Sequence, residues 1–475
     1  MSQTLEKVRL NGATPSSHGA TAQIAAFVSG AAFEALPPAV VERARMSFLD
    51  TLGIALAGAA EPGGVIITRY AVEGGGPPQA SIVGTARKVS PRSAAAANGT
   101  LAHIVGFSDF SVPNVMHPSV AVLPAVWALG EARSASGAQA LLAHVVGVEV
   151  ACKIARILTP AFTERGFHPC AVVGTFGAAA AAAKLAGLDT AQTANALGIA
   201  AVRAAGLKVS LGTMSKAYAV GHAAEGGVVA AELAALGFTG SDEALEGRDG
   251  FFETFGAGVS AAGLGSALGA PYEFDRPGIT IKPYPACTRS HPAIDAALEI
   301  VRRDRPPATD IVSVECLVAP RVMQVVNVAN PRNAMEAKFS LPFCLAAALT
   351  DGEVIIETFS DERLCAPAIQ ALMRKVEPRN DPALDKCGPF AAKVVVRMKD
   401  GKACVASRNR NLWDDPLADE SEKRRQLLAK FRSCAARLLD AGAVEEVIGI
   451  VDNLEDEPGL DRLMSILRER RMPRP

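Results

Sequence analysis

Two histidine–proline pairs are the first residues in this sequence that indicate chemistry. His117 lies in the stretch HPS and His168 in FHP. Proline disfavours helical geometry in the residue before it, so both imidazoles are expected where secondary-structure elements meet. Such junctions often carry functional sites, and an imidazole can accept or donate a proton near neutral pH. Taken singly, each fits equally well as a core histidine that only hydrogen-bonds the backbone.

The stretch that contains the first of these histidines holds further polar groups. It reads HIVGFSDFSVPNVMHPS, covers residues 103–119 and has Asp109 as its one acid. Two interpretations are open, a structural loop with internally paired polar groups or one wall of an active site. Elsewhere, His144 in LLAHVVGVEV is expected to be a core residue, and His222 in AVGHAAEGG is a weaker site candidate.

Lys216 marks a second polar stretch, SLGTMSKAYAVGH, at the expected start of a helix. A lysine adds positive charge to the positive end of the helix dipole, which costs stability and favours a bound anion. A solvated surface lysine is the competing interpretation and fits the sequence about as well.

A third stretch, ITIKPYPACTRSHPAID at residues 279–295, is denser in functional groups and is stiffened by its three prolines. A helix is expected to begin near Ser290, with the serine hydroxyl as its cap. Cationic side chains and helix N–H groups then converge, which predicts a site for a carboxylate or another small anion. The polar and ionisable residues of its centre are Lys282, Tyr284, Cys287, Arg289 and His291.

The familiar nucleotide and metal motifs are missing from the sequence. It has no P-loop, no GxGxxG after a predicted strand, no HExxH and no GxSxG. The stretch GGGPP at 74–78 is expected to be a turn, because proline lacks the N–H group that a phosphate cradle needs. The sequence therefore predicts side-chain acid–base chemistry without an evident metal or nucleotide.

Composition restricts the class of protein further. The 475 residues include 48 Lys and Arg against 49 Asp and Glu, and this balance argues against a nucleic-acid partner. Nine scattered cysteines without a CxxC pair favour a reducing, cytoplasmic location over a disulfide framework or zinc site. The uncharged run at 110–130 contains three prolines, so a membrane-spanning helix is rejected there. The N-terminus also lacks the apolar core of a signal peptide.

The elements that must position these residues are mostly helices. Apolar residues recur at helical spacing in the alanine-rich stretches 41–58, 171–188 and 190–206, and the pattern is helical again from Leu417 onward. The stretch 310–320 is rich in β-formers, and 392–407 has two apolar runs around Asp-Gly, typical of a hairpin. Between them, 333–349 is expected to be helical.

These patterns predict a mainly α protein with two parts. A helical part is expected at 20–275, a smaller α+β domain at 276–410, and helices again at 411–475. The first 20 residues are expected to be a disordered leader. The basic tail at 468–475 is expected to be a solvated terminus.

Seven ordered motifs resemble the MmgE/PrpD family, over nearly the whole chain from about residue 27. They are SFLDTLGIALAG, NGTLAH followed by HPSVAVLPA, GFHPCAVVGTFGAAAAAAKLAGL, GTMSKAYAVGHAA, IKPYPACTRSH, EAKFSLPF and DPLADESEKRRQLLAKF. The resemblance implies a large all-helical domain at 20–275 to which 411–475 returns, and a smaller α+β lid domain at 276–410. It implies a homodimer whose active site lies between the two domains. It also implies cofactor-independent action on small di- or tricarboxylates. Family activities include 2-methylcitrate dehydratase, cis-aconitate decarboxylase and iminodisuccinate epimerase.

The resemblance also implies roles for single residues. Asp109 matches the last acid of a loop motif that commonly reads HxxDFDD, and it is expected to orient an imidazole. Gly106 and Ser108 stand where that motif carries its other acids. The expected catalytic residues are His117, His168, Asp109, Lys216 and Cys287. The expected substrate-binding residues are Lys282, Arg289, Tyr284 and His103.

The leading hypothesis is a dehydratase-type lyase, a hydro-lyase, acting on a hydroxy-di- or tricarboxylate. Proton removal beside a carboxylate builds enolate-like charge that cations and a helix N-terminus stabilise, while histidine exchanges the proton. An epimerase is the alternative, since it needs two acid–base groups but no leaving-group acid, which suits the acid-poor loop. A cis-aconitate-type decarboxylase and an inactive carboxylate-binding homologue also remain, although the retained histidines and lysines argue against the latter.

Overall fold

A computed structural model describes residues 19–159, 161–410, 412–415 and 418–468. The expected disordered leader lies outside the described residues apart from residues 19 and 20, and a helix begins at Ala20. The basic tail lies outside them apart from Arg468, the last residue of a helix. In the described part the fold is mainly α with one small mixed sheet, as the sequence predicted.

Helices build the first part of the chain. The stretch 41–58 falls within one long helix, and 171–188 falls on two successive helices. A short hairpin joins β1 (Ala80–Ser81) to β2 (Lys88–Val89). The helices are α1 Ala20–Gly30, α2 Pro38–Ala59, α3 Pro62–Glu73, α4 Pro91–Ile104, α5 Ser119–Ala132, α6 Gly137–Leu158, α7 Ala161–Glu164, α8 Pro169–Val172, α9 Gly174–Ala186, α10 Thr190–Arg203, α11 Ser215–Ala235, α12 Phe251–Gly256 and α13 Leu264–Ala267.

Local sequence signals explain several helix ends. Ser136 and Gln139 form a reciprocal capping box at the start of α6, which satisfies two backbone N–H groups that the helix itself cannot. Asp189 and Gln192 do the same for α10, which begins at Thr190. Gly187 ends α9 at φ 65°, a conformation that glycine adopts without strain.

Small residues let the central helices touch backbone to backbone. A Cβ added to Gly221 of α11 would lie 2.2 Å from the carbonyl oxygen of Ala96 in α4. A Cβ on Gly99 of α4 would lie 2.8 Å from Gly221 Cα. A Cβ on Gly227 of α11 would lie 2.4 Å from the backbone of α9. The crossing of α4 and α11 is therefore fixed by glycines, at a separation that no larger residue allows.

The second part of the chain contains the sheet. Its strand order is β4-β3-β5-β6, with β3 parallel to β4 and antiparallel to β5. The predicted hairpin is confirmed, since β5 and β6 pair antiparallel and Gly401 in their turn has φ 86°. The strands are β3 Ile311–Val318, β4 Val376–Asn380, β5 Ala392–Met398 and β6 Ala403–Arg408. The helices are α14 His291–Asp304, α15 Pro320–Met323, α16 Ala334–Ala337, α17 Leu341–Asp351, α18 Asp361–Leu364 and α19 Pro367–Met373.

One expected helix is broken. The stretch 333–349 was expected to be helical throughout, but it forms α16 and then α17. Between them Ser340 adopts an extended backbone, and its hydroxyl accepts a hydrogen bond from the Phe343 N–H. Serine favours such a cap over a helix interior because its side chain competes for backbone groups. The break places Lys338 at the end of a short helix.

The last helices return to the first part of the chain. They are α20 Glu420–Ala435, α21 Ala441–Asp452 and α22 Asp461–Arg468. Among the described residues the buried apolar side chains form two large clusters. One joins residues 20–281 with 427–467, and the other covers 286–406. These clusters favour the predicted division near 276 and 410, which we retain as a proposal.

One described stretch, Pro169–Ala186, has the length and apolarity of a membrane span, but 83% of it is buried inside the protein. The consecutive helices α2 and α3 would qualify only together, and they are bent by 89°. A buried core helix passes the same test, so these stretches are weak evidence for a membrane.

Candidate active site

Three histidine rings meet in the interior. His103 lies in the last turn of α4, His117 just before α5, and His168 directly before α8. The ring centroids of His103 and His117 are 5.1 Å apart, and those of His103 and His168 are 6.1 Å apart. The expectation that both histidine–proline pairs lie at element junctions is confirmed.

Hydrogen bonding determines which nitrogen of His117 carries the proton. Its Nδ1 lies 2.5 Å from the carbonyl oxygen of Asp109, so Nδ1–H donates there and Nε2 remains an acceptor. Ser108 Oγ lies 3.2 Å from His117 Nδ1 and 3.3 Å from His103 Nδ1, which links the two rings. Burial, with the charges of Lys282 and Lys216, holds the pKa of His117 well below its ordinary value. The ring is therefore neutral in the empty site.

The other two histidines keep ring nitrogens unbonded. His103 Nε2 and His168 Nδ1 are buried and have no hydrogen-bond partner among the described residues. Burial, reinforced by the charge of Lys216, lowers the pKa of His168 to about 3. Burial likewise lowers the pKa of His103 well below its usual range. Unbonded buried polar atoms are rare in a protein core and are more typical of functional sites.

A cavity of about 190 Å³ adjoins this cluster, lined by His117 and His168. The phenyl ring of Phe110 forms part of the wall, with its centroid 5.0 Å from that of His117. Among the described residues that line the cavity, none is an aspartate or glutamate. The cationic side chains that line it are Lys208, Lys216, Lys282, Arg289 and Lys338.

The lysines differ in how they are held. Lys216 stands in the first turn of α11, as expected, and its ammonium has no hydrogen bond or ion pair with the rest of the described chain. Burial lowers its pKa. Lys282 Nζ donates to the carbonyl oxygen of Gly106 at 2.7 Å. Burial, with nearby lysine charges, lowers the pKa of Lys282 to about 7. Burial lowers the pKa of Lys338 to about 8.

The carboxylate of Asp109 does not orient an imidazole, which corrects the expectation from sequence. It is fully buried and accepts a hydrogen bond from Ser47 Oγ at 2.6 Å. Ser47 in turn bonds Ser119 Oγ, which lies 3.0 Å from His144 Nε2. Only the backbone carbonyl of Asp109 reaches His117. His144 is a buried core residue, as expected.

Tyr284 also lies off the cavity. Its hydroxyl donates to Asp295 Oδ1 at 2.6 Å, within the second part of the chain. Ser290 does not cap α14, because its hydroxyl donates to the carbonyl oxygen of Cys287. A 3-10 turn, Thr288–Ser290, precedes the helix instead. His291 is buried in the core, with Nε2 3.2 Å from the carbonyl oxygen of Ala286.

Cys287 and Arg289 do line the cavity. The Cys287 N–H donates to the carbonyl oxygen of Lys338, which joins the two cavity-lining segments of the second part. The Arg289 guanidinium donates to the carbonyl oxygen of Arg321, and burial lowers its pKa. His222, the weaker candidate, does not line the cavity; it lies 3.4 Å from Glu225 on α11.

Sequence reasoning missed residues that support the wall of the cavity. Lys430 of α20 pairs with Asp50 of α2 at 2.7 Å. Its ammonium also donates to the carbonyl oxygens of Phe107, at 2.7 Å, and Lys282, at 3.0 Å. Burial raises the pKa of Asp50 to about 6, although Lys430 opposes the shift. The only signal was that Lys430 and Lys338 fall within the motifs DPLADESEKRRQLLAKF and EAKFSLPF.

In the part of the chain that the structure describes, no cluster of three or more histidine, cysteine, aspartate or glutamate side chains is arranged to hold a metal ion.

Comparison with known proteins identifies relatives along the whole chain. The MmgE/PrpD N-terminal domain matches residues 22–262, and the MmgE/PrpD C-terminal domain matches residues 284–456. A cis-aconitate decarboxylase of Homo sapiens is 32% identical over 462 residues, covering 94% of each chain. That of Mus musculus is 29% identical, covering 94% of this chain and 93% of its own. One of Aspergillus terreus is 28% identical, covering 94% and 96%. With both domains matched in order, the chain belongs to the MmgE/PrpD family.

Proposed function

We propose that the protein is a carboxy-lyase that decarboxylates a small unsaturated di- or tricarboxylate of the cis-aconitate type. The observation that carries the proposal is the cavity itself, where five cationic side chains and two histidines meet without an acid among the described lining residues. A polyanion of small volume complements such a site. The cis-aconitate decarboxylases among the relatives favour this reaction over dehydration, which sequence reasoning placed first.

The proposed reaction balances within the substrate and one proton. A carboxylate on the carbon next to the double bond leaves as CO2, and its bonding pair forms a new double bond to the neighbouring carbon. The original double-bond pair moves to the far carbon, which takes a proton. Negative charge spreads over the allylic system on the way, and the preorganised ammonium groups of Lys216, Lys282 and Lys338 stabilise it.

His117 is the proton carrier in this proposal. Its Nδ1–H is held by the Asp109 carbonyl, which leaves Nε2 as the exchangeable position on the cavity side. The ring is neutral in the empty site, and a bound polyanion raises its pKa, because opposite charge favours the protonated form. His168, with Nδ1 unbonded, donates to or accepts from a substrate carboxylate.

A reaction in D2O tests the proposal. With cis-aconitate, decarboxylation releases CO2 and leaves one deuterium on the carbon that was protonated, visible by NMR. Hydroxy-tricarboxylates such as citrate should lose no water. Water loss from them would instead support the dehydratase. Exchange of a substrate hydrogen for deuterium with inverted configuration would support the epimerase. If none of the unsaturated di- or tricarboxylates that bind releases CO2, the proposal is refuted.

A further inference from the structure

Gly106 leaves an open space in the cavity wall. Its φ is 74°, in the left-handed region where glycine is unstrained. A Cβ added there would lie 3.8 Å from Lys338 Cδ and 4.0 Å from Lys338 Nζ, which is ordinary contact without a clash. A side chain would fit, yet the chain supplies none, and Gly106 itself lines the cavity.

Two buried ammonium groups border this space. Lys282 Nζ donates to the carbonyl oxygen of Gly106, and Lys338 Nζ donates to that of Val105. Within the described chain neither forms an ion pair with a carboxylate. Buried cations that bond only to neutral groups destabilise the empty protein, and an incoming carboxylate offsets that cost.

The other charged and titratable groups around the two lysines do not neutralise them. Lys216 and Lys430 are further cations near Lys282, and Cys287 is the thiol near it. Asp50 is the acid that interacts with Lys282, and its carboxylate is already paired with Lys430 at 2.7 Å. Glu61 is the acid near Lys338, and its carboxylate is already paired with Arg437 at 3.0 Å.

We propose that Gly106, Lys282 and Lys338 form a carboxylate subsite that determines specificity. One substrate carboxylate occupies the space that a side chain at position 106 would fill, and it bridges the two ammonium groups. This inference rests on the proposed function, since it names the part of the substrate that the subsite takes. A ligand that lacks this carboxylate leaves both lysines uncompensated, so the site prefers the more highly charged of two ligands with the same backbone.

A matched pair of variants isolates the charge. Gly106→Asp and Gly106→Asn introduce side chains of the same shape, and both residues tolerate a positive φ better than most. Only aspartate brings a carboxylate into the subsite. Calorimetric titration with two unreactive ligands, propane-1,2,3-tricarboxylate and glutarate, measures the preference without turnover. We expect wild type to favour the tricarboxylate by roughly tenfold or more. G106N and G106D should both lose this preference, because either side chain fills the space that the carboxylate needs. G106D should melt at a higher temperature than G106N, because only its carboxylate pairs with the two ammonium groups.

A variant at Lys338 gives a second test, which does not depend on whether substitutions at position 106 fold. Lys338→Met removes one ammonium group and should also lower the preference for the tricarboxylate. The subsite is refuted if G106D and G106N keep the preference of wild type, if K338M keeps it, or if G106D melts no higher than G106N. When the tricarboxylate binds and cis-aconitate is decarboxylated, such a result leaves the proposed function standing. When wild type binds neither ligand, both proposals fail together.

Discussion

At the scale of single residues, the site combines neutral histidines with lysines whose pKa values are lowered. Both follow from burial, which disfavours the charged form of either group. The empty site therefore holds less positive charge than its five cationic lining residues suggest, because the pKa values of Lys282 and Lys338 are lowered to about 7 and about 8. A polyanion restores that charge when it binds. Substrate binding and protonation are coupled in consequence.

Ligand binding near pH 7.5 should take up protons. Lys282, with its pKa near 7, is largely neutral there, and a bound tricarboxylate raises its pKa so that the ammonium forms. We expect an uptake of up to about one proton, measured by calorimetric titration of propane-1,2,3-tricarboxylate in buffers of different ionisation enthalpy. Lys282→Met should reduce the uptake, whereas the same change at the exposed Lys399 should not. Proton release on binding would contradict this coupling.

His168→Ala should lower turnover selectively without unfolding the protein. The ring makes no side-chain hydrogen bond among the described residues and lines the cavity, so its loss leaves no partner unsatisfied. We expect kcat/KM to fall by roughly 10- to 100-fold, since a hydrogen bond to a charged group contributes about 1.5–3 kcal/mol. The melting temperature should stay near that of wild type. His222→Ala on α11 is the control and should retain activity. Unfolding of H168A without a selective kinetic loss would remove the functional role.

At the scale of elements, α20 stabilises the cavity wall from the far end of the chain. Lys430 joins α2, the loop at Phe107 and the backbone of Lys282 through one ammonium group. Lys430→Met would leave Asp50 buried without its partner, a change that costs about 3–5 kcal/mol in comparable pairs.

The double variant Asp50→Asn/Lys430→Met separates positioning from stability. It removes both charges, so it should regain most of the melting temperature lost in K430M. It should still lower kcat/KM, because the loop and the Lys282 segment lose their shared donor. In the single variant K430M, which keeps the Asp50 carboxylate, loss of the Lys430 charge should raise the pKa of Lys282 and move the pH profile to higher pH. Full recovery of kcat/KM in the double variant would show that Lys430 only stabilises the fold.

Sequence reasoning succeeded where the signal is local. Periodicity predicted the helices and the hairpin, and proline after histidine placed His117 and His168 at junctions. The direction of the Asp109 side chain was not predictable, because its partner Ser47 lies 62 positions away. Lys430 was missed because its role depends on where α20 packs, and nothing in its own neighbourhood in the sequence records that. The break before α17 was signalled by Ser340, but the apolar pattern around it favoured one helix.

At the scale of the whole molecule, buried histidines couple stability to pH. Burial lowers the pKa of His144 to about 3 from an ordinary 6.5. A lowered histidine pKa contributes stability that is present above pH 6.5 and is lost as pH falls toward 3, since the unfolded chain binds the proton more readily. His144→Gln removes that dependence while an amide can still bond Ser119. Between pH 6.5 and 4.5, the free energy of unfolding of wild type should fall by about 1.4 kcal/mol per pH unit more than that of the variant. Equal slopes in chemical denaturation would contradict this.

An exposed apolar surface on α3 and at the start of α11 suits the homodimer that the family resemblance implies. Tyr70 is 68% exposed and Tyr218 47% exposed, with Val65, Ile66 and Met214 also exposed. We expect light scattering to give twice the chain mass of 49.2 kDa. Tyr70→Glu should shift the protein toward the monomer, whereas Arg69→Glu, a charged neighbour on the same helix, should shift it less. A monomeric wild type at micromolar concentration would refute the expectation.

The glycine crossing of α4 and α11 has a consequence for how this protein tolerates mutation. His103 ends one of these helices and Lys216 begins the other, so the contact between Gly99 and Gly221 sets how far apart the two groups stand. One added methyl group there would push the two helices apart, and His103 and Lys216 would be displaced with them. A random-mutagenesis screen should therefore find inactivating substitutions at two positions that carry no functional group. Compensating second-site changes should appear among the alanines of the facing helix rather than in the cavity.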